Sequence, residues 1–196
     1  MPRTKKLPAE QAHVKMRLLD TADRLFYAEG IHAVGIDRVL AEADAAKASL
    51  YQHFGSKDGL IVACVQRRVE QGRAQVLDFI QGAPAAERTL KIFDWIVAWA
   101  ESTDFRGCPL QHVVSEIPKS EHPARKIAAE QRTWFRTQFA ECLAAAGIRN
   151  RNRMADALIV LYDGALAASE QDGPQRARDA RWIAKQLLQQ NSVEKN

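Results

Sequence analysis

Helical spacing of apolar residues runs through almost the whole chain and is the feature that most limits its fold. Between residues 11 and 29, apolar side chains recur every three or four positions, and Gly30 follows where a C-terminal cap is expected. No segment alternates apolar and polar residues as a half-buried strand would, so the sequence predicts an all-α protein. Further segments with helical spacing, separated by Gly or Pro, lie at 57–80, 85–101, 123–146, 151–170 and 174–190.

Two short helical segments follow the first long one. Residues 36–43 and 46–54 flank a break at Asp44-Ala45, and the longer segment 11–29 precedes both. Two short helices joined by a tight turn, with a preceding helix that supplies their core, form a helix-turn-helix. The second helix of such a unit exposes one face to the major groove of DNA.

The second short segment divides into a buried and an exposed side. Leu50 and Phe54 are four residues apart and are expected to face the core, while Ser56 is a good N-cap for the next helix. The alternative is an ordinary amphipathic helix with polar residues outside. A catalytic role for His53 is disfavoured, because no carboxylate or nucleophile lies at a neighbouring helical position to orient it. The candidate contacts to base edges, thymine methyl groups and phosphates are Lys47, Ala48, Ser49, Tyr51, Gln52, His53 and Lys57.

The stretch "GIHAVGIDRVLAEADAAKASLYQHFGSKDGL", residues 30–60, resembles the DNA-binding domain of the TetR/AcrR family of bacterial transcriptional regulators. The resemblance implies a homodimer that binds a palindromic double-stranded DNA operator. It also implies a C-terminal domain that binds a small-molecule effector, which usually releases the DNA. By position it supports the DNA contacts named above and adds a backbone contact from Arg38. The matching positions are Ala43, Leu50-Tyr51, His53-Phe54, Ser56-Lys57 and Leu60.

The chain departs from that family pattern at two places. Asp44 stands in the turn where the family usually has Gly, and Asp tolerates the left-handed conformation better than most residues. Val34-Gly35 stands where Thr is common, so a backbone amide would replace a hydroxyl contact. The expected division is a DNA-binding domain at residues 1–56, with residues 1–8 as a flexible basic arm, and a ligand-binding and dimerisation domain at residues 57–196.

The C-terminal half is expected to hold the ligand pocket. "GCPLQHVVSE" and "LIVLYDGALAA" look like one subgroup of the family, which supports the fold without specifying a ligand. Roughly two to four of the large aromatic rings are expected to line a cavity, and the others to pack in the core. The alternatives for Cys108 are redox sensing or, together with His112, two ligands of a metal site. The alternative for Asp163 is a solvated or capping residue. The pocket candidates are Trp95, Trp99, Cys108, His112, Glu116, Trp134, Tyr162 and Asp163.

The last two helical segments are expected to form the dimer interface. Residues 155–168 are apolar on two sides, and an apolar stripe marks the final segment, so the two could form a four-helix interface with a partner. A two-sided core within one chain is the alternative. The interface candidates are Leu158, Leu161, Ala165, Ala180, Ala184 and Leu187.

Composition is consistent with a DNA-binding regulator and, by itself, decides little. The 28 Lys and Arg residues exceed the 24 Asp and Glu residues by a small margin. No signal peptide, membrane span or disulfide framework is expected, so a cytoplasmic protein without a membrane partner is predicted. No cofactor, metal or enzymatic activity is expected, because phosphate-binding Gly loops, metal-spaced clusters and nucleophile–base pairs do not appear. The sequence therefore predicts a repressor that a ligand releases; the alternative is a redox sensor at Cys108 or an enzyme with an accessory helix-turn-helix.

Overall fold

The structure is a computed structural model that describes residues 9–192, so the arm predicted at residues 1–8 lies outside the described part. Within residues 9–192 the chain forms nine α-helices and no strands, which confirms the all-α prediction. Their bounds are α1 (Ala9–Glu29), α2 (Ile36–Glu42), α3 (Lys47–Phe54), α4 (Lys57–Ile80), α5 (Arg88–Ala100), α6 (Pro109–Glu116), α7 (Pro123–Ala145), α8 (Arg151–Asp172) and α9 (Gln175–Ser192).

Helices α1 to α3 and the first half of α4 share one mostly aliphatic core. Leu18, Leu25, Leu50 and Leu60, which come from three of these helices, are fully buried in it. The helix-turn-helix is thus completed by α4. Helix α4 begins where the sequence predicts, because the Ser56 hydroxyl accepts a hydrogen bond from the amide of Gly59 at 3.0 Å.

The turn between α2 and α3 takes the conformation expected at Asp44. This residue has a φ of 47°, in the left-handed region, which confirms the prediction. Arg17 of α1 fixes the turn from outside: its Nε donates to the carbonyl oxygen of Ala43 at 3.1 Å, and its Nη2 to that of Asp44 at 2.7 Å. Arg17 lies 26 residues before Ala43, so sequence spacing gives no sign of this contact. These contacts tie α1 to the turn between α2 and α3.

The C-terminal bundle consists of the second half of α4 with α5, α7, α8 and α9, and its core is rich in aromatic rings. The ring of Phe135 lies between those of Trp95 and Tyr162, with centroid distances of 5.9 and 4.4 Å. Trp99 continues the cluster at 5.3 Å from Trp95. Among residues 9–192, no helix is both long enough and apolar enough to cross a membrane.

The expected dimer face requires a correction. Leu158, Ala165, Ala180 and Ala184 are buried inside the chain's own bundle, so a partner cannot reach them. These residues form the stripe by which α8 and α9 pack onto the bundle. This packing matches the alternative given above, in which the two helices belong to a core within one chain. Leu161 and Leu187 are half-buried at the edge of this stripe. The outward sides of the two helices instead expose Val160, Gly164, Trp182 and Ile183.

Helix α6 lies between the two halves and packs against both. Val113 and Ile117, at its C-terminal end, belong to the N-terminal core. Leu110 packs against the N-terminal core and against the C-terminal core. Pro109 occupies the first helical position of α6, where its fixed φ and missing N–H suit the start of a helix.

Candidate nucleic-acid interface and ligand cavities

Helix α3 presents most of the predicted DNA contacts on one exposed side. Lys47, Ala48 and Gln52 are exposed and 46% of the Tyr51 surface is accessible, whereas Ser49 and His53 are half-buried. This arrangement follows from the full burial of Leu50, which holds the opposite side of the helix to the core. Hydroxyl, amide, methyl and ammonium groups lie together here, and these are the groups that read base edges and bind phosphates. Their roles as DNA contacts stay predictions.

Arg38 and Lys57 lie beside this face with partners inside the domain. Arg38 forms an ion pair with Glu29 and, through Nε, a hydrogen bond of 3.0 Å to Glu42. These hydrogen bonds, first the one to Glu29, raise the pKa of Arg38. Arg24 and then Arg38 lower the pKa of Glu42 by donating to its carboxylate. The Lys57 Nζ donates to the carbonyl oxygen of Ile31 at 2.7 Å, which fixes the ammonium next to the start of α4.

Gly59 is a functional position that sequence reasoning missed. It lies in the first turn of α4, directly against the end of α3, where a Cβ atom would stand 1.9 Å from the carbonyl oxygen of Phe54. No side chain fits at that distance, so only glycine lets α4 begin this close to α3. A glycine two residues inside a long amphipathic helix was the available signal, because it has no benefit for helix formation.

Two cavities open in the C-terminal bundle, of about 320 Å³ and about 340 Å³. Of the predicted pocket residues, Trp95 and Trp99 line the first cavity, and Asp163 lines the second. Cys108 and Tyr162 line both. With Phe135, four aromatic side chains therefore line these cavities; that the cavities bind a ligand stays a prediction. Both volumes lie in the range of small-molecule sites.

Glu116, His112 and Trp134 do not line these two cavities; His112 lines a smaller one, of about 30 Å³, together with Tyr27. Glu116 turns to the N-terminal half, where its carboxylate accepts from the His32 amide at 3.0 Å and its carbonyl oxygen lies 2.6 Å from the His32 ring. His112 lies beside Tyr27, with its Nε2 3.3 Å from the Glu170 carboxylate. Trp134 lies below the guanidinium of Arg73, at 5.3 Å. Sequence spacing could not predict where these three side chains point, because each one contacts a partner that is distant in the chain.

The chemistry of the remaining pocket residues favours binding over reaction. Burial raises the pKa of the Cys108 thiol to about 11, so the reactive thiolate is scarce and the redox alternative is disfavoured. Asp163 is paired with Arg132, whose Nε and Nη2 lie 2.9 and 2.6 Å from its Oδ2. Within the described residues, no group of three His, Cys, Asp or Glu side chains could hold a metal ion.

Tyr27 is a second residue whose role sequence reasoning missed. Its hydroxyl donates to the carbonyl oxygen of Gly107 and accepts from the amide of Arg106, both at 2.9 Å. Arg68 lies 4.1 Å from the centre of its ring. Burial is the main cause that raises the pKa of Tyr27. These contacts join α1 to the loop that leads into α6.

Comparison with known proteins agrees with this architecture. The family model "Bacterial regulatory proteins, tetR family" matches residues 18–64, which contain the helix-turn-helix and the start of α4. SCO4454, a TetR-family transcriptional regulator from Streptomyces coelicolor, is 36% identical and superposes with a TM-score of 0.88. That match covers 93% of this chain and 97% of the other.

Two curated relatives are also similar. The HTH-type transcriptional regulator LmrA of Bacillus subtilis is 25% identical over 134 residues, which are 67% of this chain and 71% of LmrA. The HTH-type transcriptional repressor SCO4008 of Streptomyces coelicolor is 27% identical over 129 residues, which are 59% of this chain and 62% of the repressor. The chain therefore belongs to the TetR family and is a DNA-binding transcriptional regulator.

Proposed function

We propose that the chain is a homodimeric repressor that leaves a palindromic operator when a small molecule binds in the C-terminal bundle. In this proposal residues 1–56 read DNA, residues 57–196 hold the ligand and the partner, and α4 is common to both. The name of the similar SCO4008, a repressor, supports the direction of regulation. The observation that carries the proposal is the position of α6 between the cavities and the N-terminal core.

One side of α6 faces the cavities. Leu110 lines both of them, and Gln111, Val114 and Ser115 line the second. A molecule that fills either space therefore contacts this helix directly.

The other side of α6 contacts the DNA-binding half. Val113 is buried in the N-terminal core, and Glu116 hydrogen-bonds to His32 in the loop between α1 and α2. Displacement of α6 would thus shift the base of the helix-turn-helix and change the separation of two recognition helices in a dimer. A ligand weakens operator binding by its differential affinity for the two arrangements, and by no more.

Selection of DNA from a random duplex pool by the full-length protein tests the proposal. We expect an enriched palindrome whose half-sites lie about one helical turn, or a multiple of it, apart. Tyr51→Ala or Gln52→Ala should reduce discrimination between that palindrome and random DNA. Enrichment of a single half-site, or a rise in transcription of a reporter gene behind the selected sequence, would contradict the dimeric repressor.

The dimer surface can be tested separately, on the outward faces of α8 and α9. Val160 is 68% exposed and Trp182 is 61% exposed, which leaves a large apolar surface in water. Val160→Glu and Trp182→Glu should yield monomers in sedimentation experiments and should weaken operator binding. Leu77→Glu is the matched control, because Leu77 is an exposed apolar residue on α4. Equal loss of dimer in the control would refute this surface.

A further inference from the structure

The two cavities are separated by a wall whose chemistry limits the ligand. Five residues line both spaces and form this wall: Cys108, Leu110, Gln131, Phe135 and Tyr162. Three of the five are apolar or weakly polar, so the specific polar groups are the amide of Gln131 and the hydroxyl of Tyr162.

The amide of Gln131 has a fixed orientation. Its side chain is 3% exposed, and its Oε1 accepts a hydrogen bond of 2.6 Å from Nε of Arg73. Because the oxygen is held by a cation, the NH2 group is the part of the amide left to bind a ligand. Gln75, which lines the first cavity, follows the same pattern, since its Oε1 accepts from Nε1 of Trp95 at 3.1 Å.

Tyr162 adds a second donor at the same wall. The residue is 6% exposed, and its hydroxyl has no hydrogen-bond partner among residues 9–192. Burial raises the pKa of Tyr162 well above its ordinary value, so the hydroxyl keeps its proton. Among the described residues only Arg67 Nε and Ser169 Oγ are fully buried without a partner, so the Tyr162 hydroxyl is open to the cavities and can donate to a ligand acceptor.

Charged groups around the cavities do not favour a cation at the wall. Arg68 is paired with Asp23, and Arg132 is paired with Asp163. Asp104 lies at the exposed rim of the first cavity, away from the buried wall. The aromatic rings could attract a cation by their faces, but the amide and hydroxyl donors direct partial positive charge into the same space.

We propose that the ligand is a planar aromatic molecule, neutral or anionic, whose carbonyl or similar acceptor oxygen binds the Tyr162 hydroxyl and the Gln131 amide. Aromatic side chains line both cavities and provide an apolar surface for a ring system, and the fixed donors select for the oxygen. This inference rests on the proposed function, since it names the ligand class of the same cavities.

Three probes of similar shape test the ligand class in the full-length protein. They are 9-fluorenone, which has one carbonyl oxygen, fluorene, which has none, and N-methylacridinium, which is a permanent cation. Quenching of tryptophan fluorescence gives the affinities. We expect fluorenone to bind about tenfold more tightly than fluorene, because one hydrogen bond to a buried donor contributes about that factor. Tighter binding of N-methylacridinium, equal binding of fluorenone and fluorene, or no binding of any probe would overturn the proposal.

Substitutions in the wall test which residues cause the preference for fluorenone over fluorene. Tyr162→Phe and Gln131→Glu should each reduce the preference for fluorenone to about threefold or less, with fluorene affinity unchanged as the sign of an intact fold. Gln138→Glu is the matched control on the same helix, because Gln138 hydrogen-bonds to Glu141 and not to a wall residue. An unchanged preference in both wall variants would refute the donor assignment.

Operator affinity separates this proposal from the proposed function. If the protein without probe still selects and binds a palindrome while fluorenone shows no advantage, the ligand class is wrong and the regulator stands. If no palindrome is selected, the proposed function fails whatever the probes do.

Discussion

The two halves of the molecule use different kinds of core. The N-terminal core is mainly aliphatic, with Leu18, Leu25, Leu50 and Leu60 fully buried. The C-terminal core contains stacked aromatic rings and two cavities of about 320 and 340 Å³. Dense packing fixes positions to fractions of an ångström, whereas side chains beside a void lack contacts on one side. We therefore expect the N-terminal core to tolerate truncation of a side chain less well than the residues that line the two cavities.

Two glycines of α4, one in each half, provide the sharpest test of this difference. Gly59→Ala places a methyl group against the Phe54 carbonyl, so we expect it to destabilise the DNA-binding half by more than about 4 kcal/mol. Gly72→Ala meets nothing within 4 Å and should stabilise the protein by about 0.5–1 kcal/mol. Urea unfolding followed by circular dichroism measures both. A mild effect of Gly59→Ala would mean that α3 and α4 can separate freely.

The same leucine truncation should have different effects in the two halves. Leu50→Ala leaves a hole in a dense core and should lower the free energy of unfolding by about 3–4 kcal/mol. Leu110→Ala enlarges spaces that already exist, so a loss of about 1–2 kcal/mol is expected. Thermal unfolding of the two variants would reveal the ratio. Equal losses would break the contrast between a dense and a hollow core.

Arg17 tests how much the turn depends on α1. Arg17→Ala removes two hydrogen bonds to the carbonyl oxygens of Ala43 and Asp44, and we expect a loss of about 1–2 kcal/mol. Arg24→Ala, in the same helix, removes an exposed ion pair with Glu42 and should cost clearly less stability than Arg17→Ala. Chemical denaturation would compare the two. If the two variants lose the same free energy of unfolding, the hydrogen bonds from Arg17 do not stabilise the turn.

Lys57 should show the smallest effect on stability and a specific one on DNA. Lys57→Gln should weaken binding to operator and random DNA alike. It should also make the slope of log K against log salt concentration shallower by about 0.9. Fluorescence anisotropy over a range of salt concentrations measures this slope. Lys91→Gln, on α5 beside Asp94, is the control and should leave the slope unchanged. A loss confined to the operator would contradict a phosphate contact.

Sequence reasoning succeeded where the signal is local. The N-cap at Ser56 and the left-handed turn at Asp44 each depend on residues close in the chain, and both are found. It failed where the outcome depends on distant partners. Glu116 turns to His32, 84 residues away, and Ala180 packs into the core of its own chain rather than against a partner. Periodicity identifies an apolar stripe without saying which neighbour covers it.

The hydrogen bond between Lys57 and the Ile31 carbonyl has a consequence for the entropy of the proposed phosphate contact. A free lysine side chain has about 2 kcal/mol of rotamer entropy to lose when it is fixed. Here the ammonium is fixed before DNA arrives, while two of its three N–H groups remain to bind an anion. Folding of the domain has already ordered this side chain, so more of the attraction to phosphate can appear as affinity.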